Sequence, residues 1–155
     1  VPREIIIKKF QEYYLGRGFK GLMNNESWLL DKKIIANLDK KYKLAIFTGR
    51  PKTEANYALR NSTTSNFFGV VVTADEVMNK KPSPDGLYIV LEKLKSKSAV
   101  YVGDSIDDLN SAKSASIEFI GVIAPGSDKN RMRSVLKDNG AKVILEEING
   151  IVNVI

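Results

Sequence analysis

Five short apolar runs that alternate with segments of helical periodicity constrain the fold of this 155-residue chain more than any other feature. The runs read KLAIFTGR, GVVVTADE, SAVYVGD, IEFIGVIAPG and AKVIL. Apolar strands that alternate with helices form βαβ units, whose strands lie parallel and are covered by helices on both faces. The sequence therefore predicts an α/β fold: a three-layer, Rossmann-like parallel sheet.

The residues that precede the first strand follow a different pattern. Helical spacing of apolar residues predicts a helix that begins near Pro2 and ends at Gly16. The next stretch, GRGFKG, has three glycines in six residues and predicts a hinge. A second helix is predicted after Asn24-Asn25, which can cap it. Its predicted buried stripe is formed by Trp28, Leu29, Ile34, Ile35 and Leu38.

The composition excludes several kinds of chemistry. The chain has neither cysteine nor histidine, so disulfides, thiolate catalysis, Cys/His zinc sites and Ser-His-Asp triads are ruled out for these residues. The net charge of +6 comes from scattered lysines and not from a basic tract, so we expect a small anionic substrate and no nucleic acid. No apolar run approaches the ~20 residues of a membrane span, and a cysteine-free chain fits the cytoplasm.

Two of the predicted loops carry groups that can bind an anion at the sheet edge where ligands bind in open α/β folds. Thr48-Gly49-Arg50 offers a hydroxyl, a backbone amide and a guanidinium, which together suit a phosphoryl or carboxylate oxyanion. Lys81 precedes Pro82, which disfavours helical geometry at the lysine and holds it in a stiff segment. The alternatives are a plain turn at Gly49, a solvated Arg50 in place of a substrate contact, and a solvated lysine before a helix.

A third loop, VYVGDSIDD, places three carboxylates within five residues at the end of an apolar strand. Asp104 and Asp108 lie four residues apart, and both can face one point beyond the sheet edge if a helix begins between them. Such carboxylates suit Mg²⁺, which takes one or two of them and completes its shell with water and phosphate. A calcium loop lacks the required ligand alternation here. Helix capping by Asp107 or Asp108 explains one aspartate but hardly three.

The three loops together resemble the haloacid dehalogenase superfamily. Members have a Ser or Thr that closes one strand (Thr48 in IFTGR), a Lys before a helix (Lys81 in KKPSPDG) and an acidic GDxxxD loop (Asp104 and Asp108 in GDSIDD). The resemblance extends from about Glu26 to the C-terminus. The KPxP and VGDS contexts are most similar to the phosphoglycolate-phosphatase-like branch, in which a helical cap is inserted ahead of the threonine strand.

This resemblance implies a Mg²⁺-dependent phosphatase that hydrolyses a small phosphorylated metabolite through an aspartyl-phosphate intermediate. It places the phosphate oxygens on Thr48 Oγ1 and the Gly49 amide, and it makes Lys81 the group that balances charge at the phosphoryl group. It places the metal on Asp104, with Asp108 as a second ligand or as the residue that orients the metal's waters.

The resemblance also implies a segment that these residues do not contain. The superfamily's nucleophile is an aspartate of a DxDGT-like motif on the central strand, and no such motif occurs here. We therefore expect residues 1–20 to be the C-terminal part of a helical cap with its return hinge, and residues 21–155 to be a core without its first, central strand. An upstream segment, in the same or a separate chain, would supply the nucleophile, and residues 1–155 alone would be neither stable nor active. The alternative is a non-catalytic anion-binding or regulatory domain that has lost the nucleophile.

Overall fold

The computed structural model describes residues 1–155, in which five helices and five strands alternate after an N-terminal helix. The strands are β1 (Leu44–Phe47), β2 (Phe68–Val72), β3 (Val100–Gly103), β4 (Glu118–Val122) and β5 (Val143–Leu145). The helices are α1 (Arg3–Leu15), α2 (Lys32–Asp39), α3 (Lys52–Ser62), α4 (Asp85–Leu94), α5 (Ile106–Ser114) and α6 (Lys129–Asp138). None of these helices combines the length and the hydrophobicity that crossing a membrane requires.

All strand pairs are parallel, which confirms the predicted α/β class, but the strands form two sheets. One sheet has the order β1-β2 and the other the order β3-β4-β5. In the first, Ile46 lies beside Val71, and in the second, Val102 lies beside Ile120. No strand pairing joins β1 to β3, so each of these strands has one edge without a strand partner.

A single apolar core lies against both sheets and holds them together. Its nine buried residues come from both sheets and from the helices that cover them: Phe47, Val72, Leu87, Val90, Leu109, Ala112, Phe119, Leu136 and Ala141. Gly86 allows α4 to approach β1 closely, because a Cβ at Gly86 would overlap the ring of Phe47. Burial of this cluster is the main force that keeps the two sheets in one unit.

The predicted second helix begins later than the sequence suggested. Helix α2 starts at Lys32, and the Asp31 side chain caps it by accepting a hydrogen bond of 2.6 Å from the Lys33 amide. Asn24-Asn25 closes a short 3₁₀ turn instead of capping a helix. Trp28 and Leu29 therefore lie outside the helix and are 38% and 50% exposed. A local cap decided the boundary, because Asp31 satisfies an amide of the first turn that the asparagines cannot reach.

Helix α1 ends at Gly16 as predicted, and the glycine-rich stretch after it folds back tightly on the helix end. The Gly21 amide donates to the Leu15 carbonyl oxygen at 2.9 Å. Gly16 has φ +65°, and a Cβ at Gly21 would overlap the carbonyl oxygens of Tyr13 and Tyr14. Glycine is required at both positions, for a positive φ in one and for close backbone approach in the other. No residue of α1 is fully buried.

Candidate active site

The ends of β1 and β3 meet although the strands do not pair, because side chains connect them. Lys81 Nζ donates to the Phe47 carbonyl oxygen at 3.2 Å and to Asp108 Oδ1 at 2.7 Å. Tyr101 Oη, whose single hydrogen is shared with Asp108, also lies 3.3 Å from the Phe47 carbonyl oxygen. The lysine loop and the acidic loop that the sequence singled out are thus in direct contact, with the end of the threonine strand between them.

Asp108 is the best-satisfied carboxylate of the site. Oδ1 accepts hydrogen bonds from Lys81 Nζ and from Tyr101 Oη, the latter at 2.9 Å. Oδ2 accepts from Ser105 Oγ at 2.7 Å, from the Ser105 amide at 3.2 Å and from the Asp104 amide at 3.3 Å. Burial alone would raise the pKa of Asp108, but the hydrogen bonds from Lys81 and Ser105 outweigh burial and lower the pKa below its usual value.

The local sequence explains how Asp108 reaches this position. Ser105 is the N-cap of α5: its Oγ accepts from the Asp108 amide, and Asp108 accepts from the Ser105 amide, which forms a capping box. Gly103 permits the approach, because a Cβ there would lie 2.6 Å from Asp108 Cβ. The cap is therefore Ser105 and not Asp107 or an isolated Asp108. Asp107 is exposed on the first turn of α5.

Asp104 differs from Asp108 in both exposure and pKa. It is exposed and takes part in no ion pair, although its backbone amide serves Asp108. The surrounding protein and the negative charge of Asp108 raise the pKa of Asp104. A nearby cation would reverse this shift. The Asp104 carboxylate is therefore accessible at the sheet edge, and its charged form is disfavoured unless a cation lies beside it.

This donor set fits a magnesium ion held by one protein carboxylate. No three acidic side chains converge in the structure. Mg²⁺ typically binds through one or two carboxylates and keeps several waters, so Asp104 would be the direct ligand. Both oxygens of Asp108 already accept hydrogen bonds from protein donors, so Asp108 would support the site by holding Lys81 and the Ser105 loop in place.

Lys81 is fixed as firmly as its partner. Its side chain is 16% exposed, and Nζ lies 4.6 Å from the ring centroid of Phe47 and 5.4 Å from that of Tyr101. Two aromatic faces, one carboxylate and one carbonyl oxygen therefore surround a single ammonium group. A charge held this way can oppose negative charge at a defined point near the ends of the strands.

The threonine loop presents polar groups at the other side of the site. The Thr48 amide continues the β1-β2 ladder by donating to the Val72 carbonyl oxygen at 2.9 Å, and Thr48 Oγ1 accepts from the Arg50 amide at 3.2 Å. Gly49 is surrounded by open space, with no atom within 4 Å of the position of a Cβ. The side of Gly49 on which a Cβ would lie is therefore open, and Thr48 is one of the residues that line a groove there.

A groove lies beside β1 and β3 and reaches the threonine loop. Its volume is about 630 Å³. Ile46 of β1 and Val102 of β3 are among its lining residues, as are Trp28 and Leu29. Thr48 and Arg50 are among the polar lining residues. Most of the lining residues are hydrophobic.

Arg50, the candidate substrate contact, lies in an ion pair that the sequence did not predict. Its Nη1 and Nη2 donate to Glu26 Oε2 and Oε1 at 2.7 and 2.9 Å, and Tyr14 Oη donates to Glu26 Oε1 at 2.5 Å. No motif marked Glu26 or Tyr14, which lie far from Arg50 in the chain. Tyr101 was also missed, and its only signal was a phenol in an otherwise aliphatic strand.

With this geometry, comparison with known proteins identifies the family. Residues 31–122 match the haloacid dehalogenase-like hydrolase family, and the chain belongs to it. This assignment confirms the resemblance found in the sequence.

Curated relatives and solved structures agree with the assignment. The phosphorylated carbohydrates phosphatase of Thermotoga maritima is 40% identical over 87 residues, which cover 54% of this chain and 40% of the relative. The phosphoglycolate phosphatase of Escherichia coli is 33% identical over 81 residues, or 51% of this chain and 32% of the relative. A solved structure from Haemophilus somnus, described as a predicted phosphoglycolate phosphatase, has a TM-score of 0.79 at 21% identity and covers 99% of this chain and 68% of its own. The chain thus spans well under half the length of the curated relatives it matches.

Proposed function

We propose that the protein is a Mg²⁺-dependent phosphatase that hydrolyses a small phosphorylated metabolite through an aspartyl-phosphate intermediate. The observation that carries the proposal is the Lys81–Asp108 pair at the end of β1, because it joins the predicted lysine and acidic loops beside the threonine loop. The relatives' names support a phosphate ester as substrate. We also propose a cytoplasmic location, which the lack of cysteine supports.

The residues of this chain would divide the work on the phosphoryl group. Thr48 Oγ1 and the Gly49 amide would donate hydrogen bonds to its oxygens, and Lys81 would balance its charge. Asp104 would hold the magnesium ion, which supplies charge compensation for the phosphoryl oxygens when it is bound. Asp108 would hold Lys81 in place.

The nucleophilic carboxylate would come from a segment outside residues 1–155. The proposed position is the groove between β1 and β3, where an extended segment would pair with both free strand edges. The unpaired edges of β1 and β3 support this position, since exposed strand edges favour pairing with another strand, and Ile46 and Val102 of these strands line the groove. The segment would end next to Thr48 and Lys81, beside the phosphoryl group.

The decisive experiment is hydrolysis of p-nitrophenyl phosphate by the full-length protein, with and without Mg²⁺. We expect activity that requires Mg²⁺ and that falls at least a hundredfold in Asp104→Asn, since Asp104 is the accessible carboxylate. Asp107→Asn is the matched control, because it removes an exposed acid three residues away. Phosphate binding without turnover in the wild-type protein would support the non-catalytic domain instead, and activity indifferent to Mg²⁺ and to Asp104→Asn would refute the metal assignment.

A further inference from the structure

The backbone of Lys81 lies in a loop that a single carboxylate closes. Asp85, the first residue of α4, accepts hydrogen bonds from both sides of the lysine. Its Oδ2 accepts from the Asn79 amide at 3.0 Å and from Asn79 Nδ2 at 3.1 Å. Its Oδ1 accepts from Ser83 Oγ at 2.5 Å. Asp85 therefore joins the residue two positions before Lys81 to the residue two positions after it.

A backbone turn and the charge of Asp85 support this closed loop. The Ser83 amide donates to the Lys80 carbonyl oxygen at 3.0 Å, so the chain turns back on itself at Lys81. The hydrogen bonds from Ser83 and from the Asn79 amide lower the pKa of Asp85, which keeps the carboxylate charged at neutral pH. A charged acceptor makes stronger hydrogen bonds than a neutral one. The loop is thus closed by its strongest kind of acceptor.

Helix α5 holds both the ammonium group of Lys81 and the loop that carries it. Asp108 Oδ1 accepts from Lys81 Nζ at 2.7 Å. Ser111 lies one turn further along the helix, and its Oγ donates to the Ser83 carbonyl oxygen at 2.9 Å. Ser111 has no exposed surface, so loss of its hydroxyl would leave a carbonyl oxygen without this partner. Since residues three apart share one face of a helix, α5 fixes the two ends of the lysine relative to each other.

This double attachment matters because the role proposed for Lys81 depends on its position. Lysine carries a point charge on a flexible four-carbon stem, and the energy of a charge falls with its distance from the group it opposes. A displacement of about 1 Å in a catalytic site can lower the rate about a hundredfold. Asp108 fixes only the tip of the side chain, so the backbone needs attachments of its own.

We propose that Ser111 and Asp85 are positioning residues for phosphoryl transfer. They act through Lys81 and not on the substrate: they hold its backbone while Asp108 holds its ammonium group. This role rests on the proposed phosphatase function.

The test is a double-mutant cycle on the full-length protein, with p-nitrophenyl phosphate and Mg²⁺. Ser111→Ala should lower kcat roughly 10- to 100-fold. KM should change little, because Lys81 opposes charge that develops during the transfer. In a Lys81→Met background the same substitution should leave kcat unchanged, since no lysine remains to be displaced. A merely structural role would lower kcat by the same factor in both backgrounds.

A second variant and two matched controls accompany the cycle. Asp85→Ala should behave as Ser111→Ala does, and Asp85→Asn should retain more activity, because an amide oxygen can still accept from Asn79. Ser114→Ala removes an exposed hydroxyl from the next turn of α5, and Asp128→Asn changes the carboxylate that caps α6. Both controls should leave kcat unchanged. Urea unfolding of every variant separates a loss of folded protein from a displacement of Lys81.

Three results would overturn the positioning role: an unchanged kcat in Ser111→Ala or Asp85→Ala, an equal fall in the two backgrounds, or an equal effect of the controls. If the wild-type protein hydrolyses no ester, the phosphatase proposal fails, and calorimetric binding of inorganic phosphate replaces kcat in the same cycle. Weaker phosphate binding in Ser111→Ala that disappears in the Lys81→Met background would support the positioning role. Equal weakening in both backgrounds would refute it, and so would a wild-type protein that binds no phosphate.

Discussion

Lys81 Nζ lies 2.7 Å from Asp108 Oδ1, and the side chains of the two residues are 16% and 7% exposed. The pair joins the loop ahead of α4 to the first turn of α5, 27 residues further along the chain. A buried ion pair gains little over an apolar replacement, but the loss of one partner leaves the other charge unpaired. The pair therefore makes the geometry of the site and the stability of the fold depend on the same two residues.

Replacement of Lys81 by methionine should destabilise the full-length protein by about 3 kcal/mol, because it leaves the buried Asp108 carboxylate without its cation. The measurement is urea unfolding followed by circular dichroism. Lys80→Met is the matched control, since Lys80 is an exposed neighbour with the same side chain. Equal midpoints for the two variants would contradict a structural role for the pair.

The lowered pKa of Asp108 predicts a loss of stability in acid. A carboxyl whose pKa is lower in the folded state than in the unfolded state binds its proton more readily when the chain unfolds. Its contribution is complete above the unfolded pKa of about 4 and is lost as the pH falls through the folded value. Unfolding midpoints between pH 6 and pH 3 should fall less steeply in Asp108→Asn, although that variant is less stable at neutral pH. If the midpoints of the wild-type protein and of Asp108→Asn fall equally steeply with pH, other carboxyl groups cause the loss of stability in acid.

Replacement of Tyr101 by phenylalanine should cost about 1–2 kcal/mol, because it removes the hydroxyl that donates to Asp108 Oδ1 at 2.9 Å and that also lies 3.3 Å from the Phe47 carbonyl oxygen. Since the ring and its contacts stay in place, the decrease in the free energy of unfolding measures the contribution of the hydroxyl alone. Tyr42→Phe removes a hydroxyl from a tyrosine that is 45% exposed and should be nearly neutral. Chemical denaturation of both variants checks the difference, and equal stability would show that the phenol contributes nothing.

A methyl group at Gly103 should displace Asp108, because the added Cβ would lie 2.6 Å from Asp108 Cβ and 2.8 Å from its Oδ2. We expect Gly103→Ala to cost about 1–3 kcal/mol, the usual penalty for an overpacked site, and to reduce activity with it. Gly69→Ala is the control, because the nearest atom to its Cβ would be 3.7 Å away in the Leu94 side chain. If Gly103→Ala keeps the stability and the catalytic rate of the wild-type protein, α5 can shift away from the added methyl group without loss of free energy.

The sequence predicted the parts of the fold that depend on local pattern and on sheet-edge geometry. Five parallel strands and the family itself follow from apolar runs that end in chemically distinct loops. The predicted start of α2 was wrong. The sequence placed it after Asn24-Asn25, but in the structure Asp31 caps the helix, and the cap decides where the helix begins. The Glu26–Arg50 pair could not be predicted, because its partners are 24 residues apart and meet only through tertiary packing.

The division of the sheet between β1 and β3 bears on how the chain assembles. Helix α3 connects β1 to β2, α5 connects β3 to β4, and α6 connects β4 to β5, so every strand pairing joins sequence neighbours. Contacts between neighbours close short loops and form quickly. Although one core joins the two halves, amide hydrogen exchange should show β1-β2 opening at a different free energy from β3-β4-β5. Lys81→Met should widen that difference, because it weakens the contacts that join the halves.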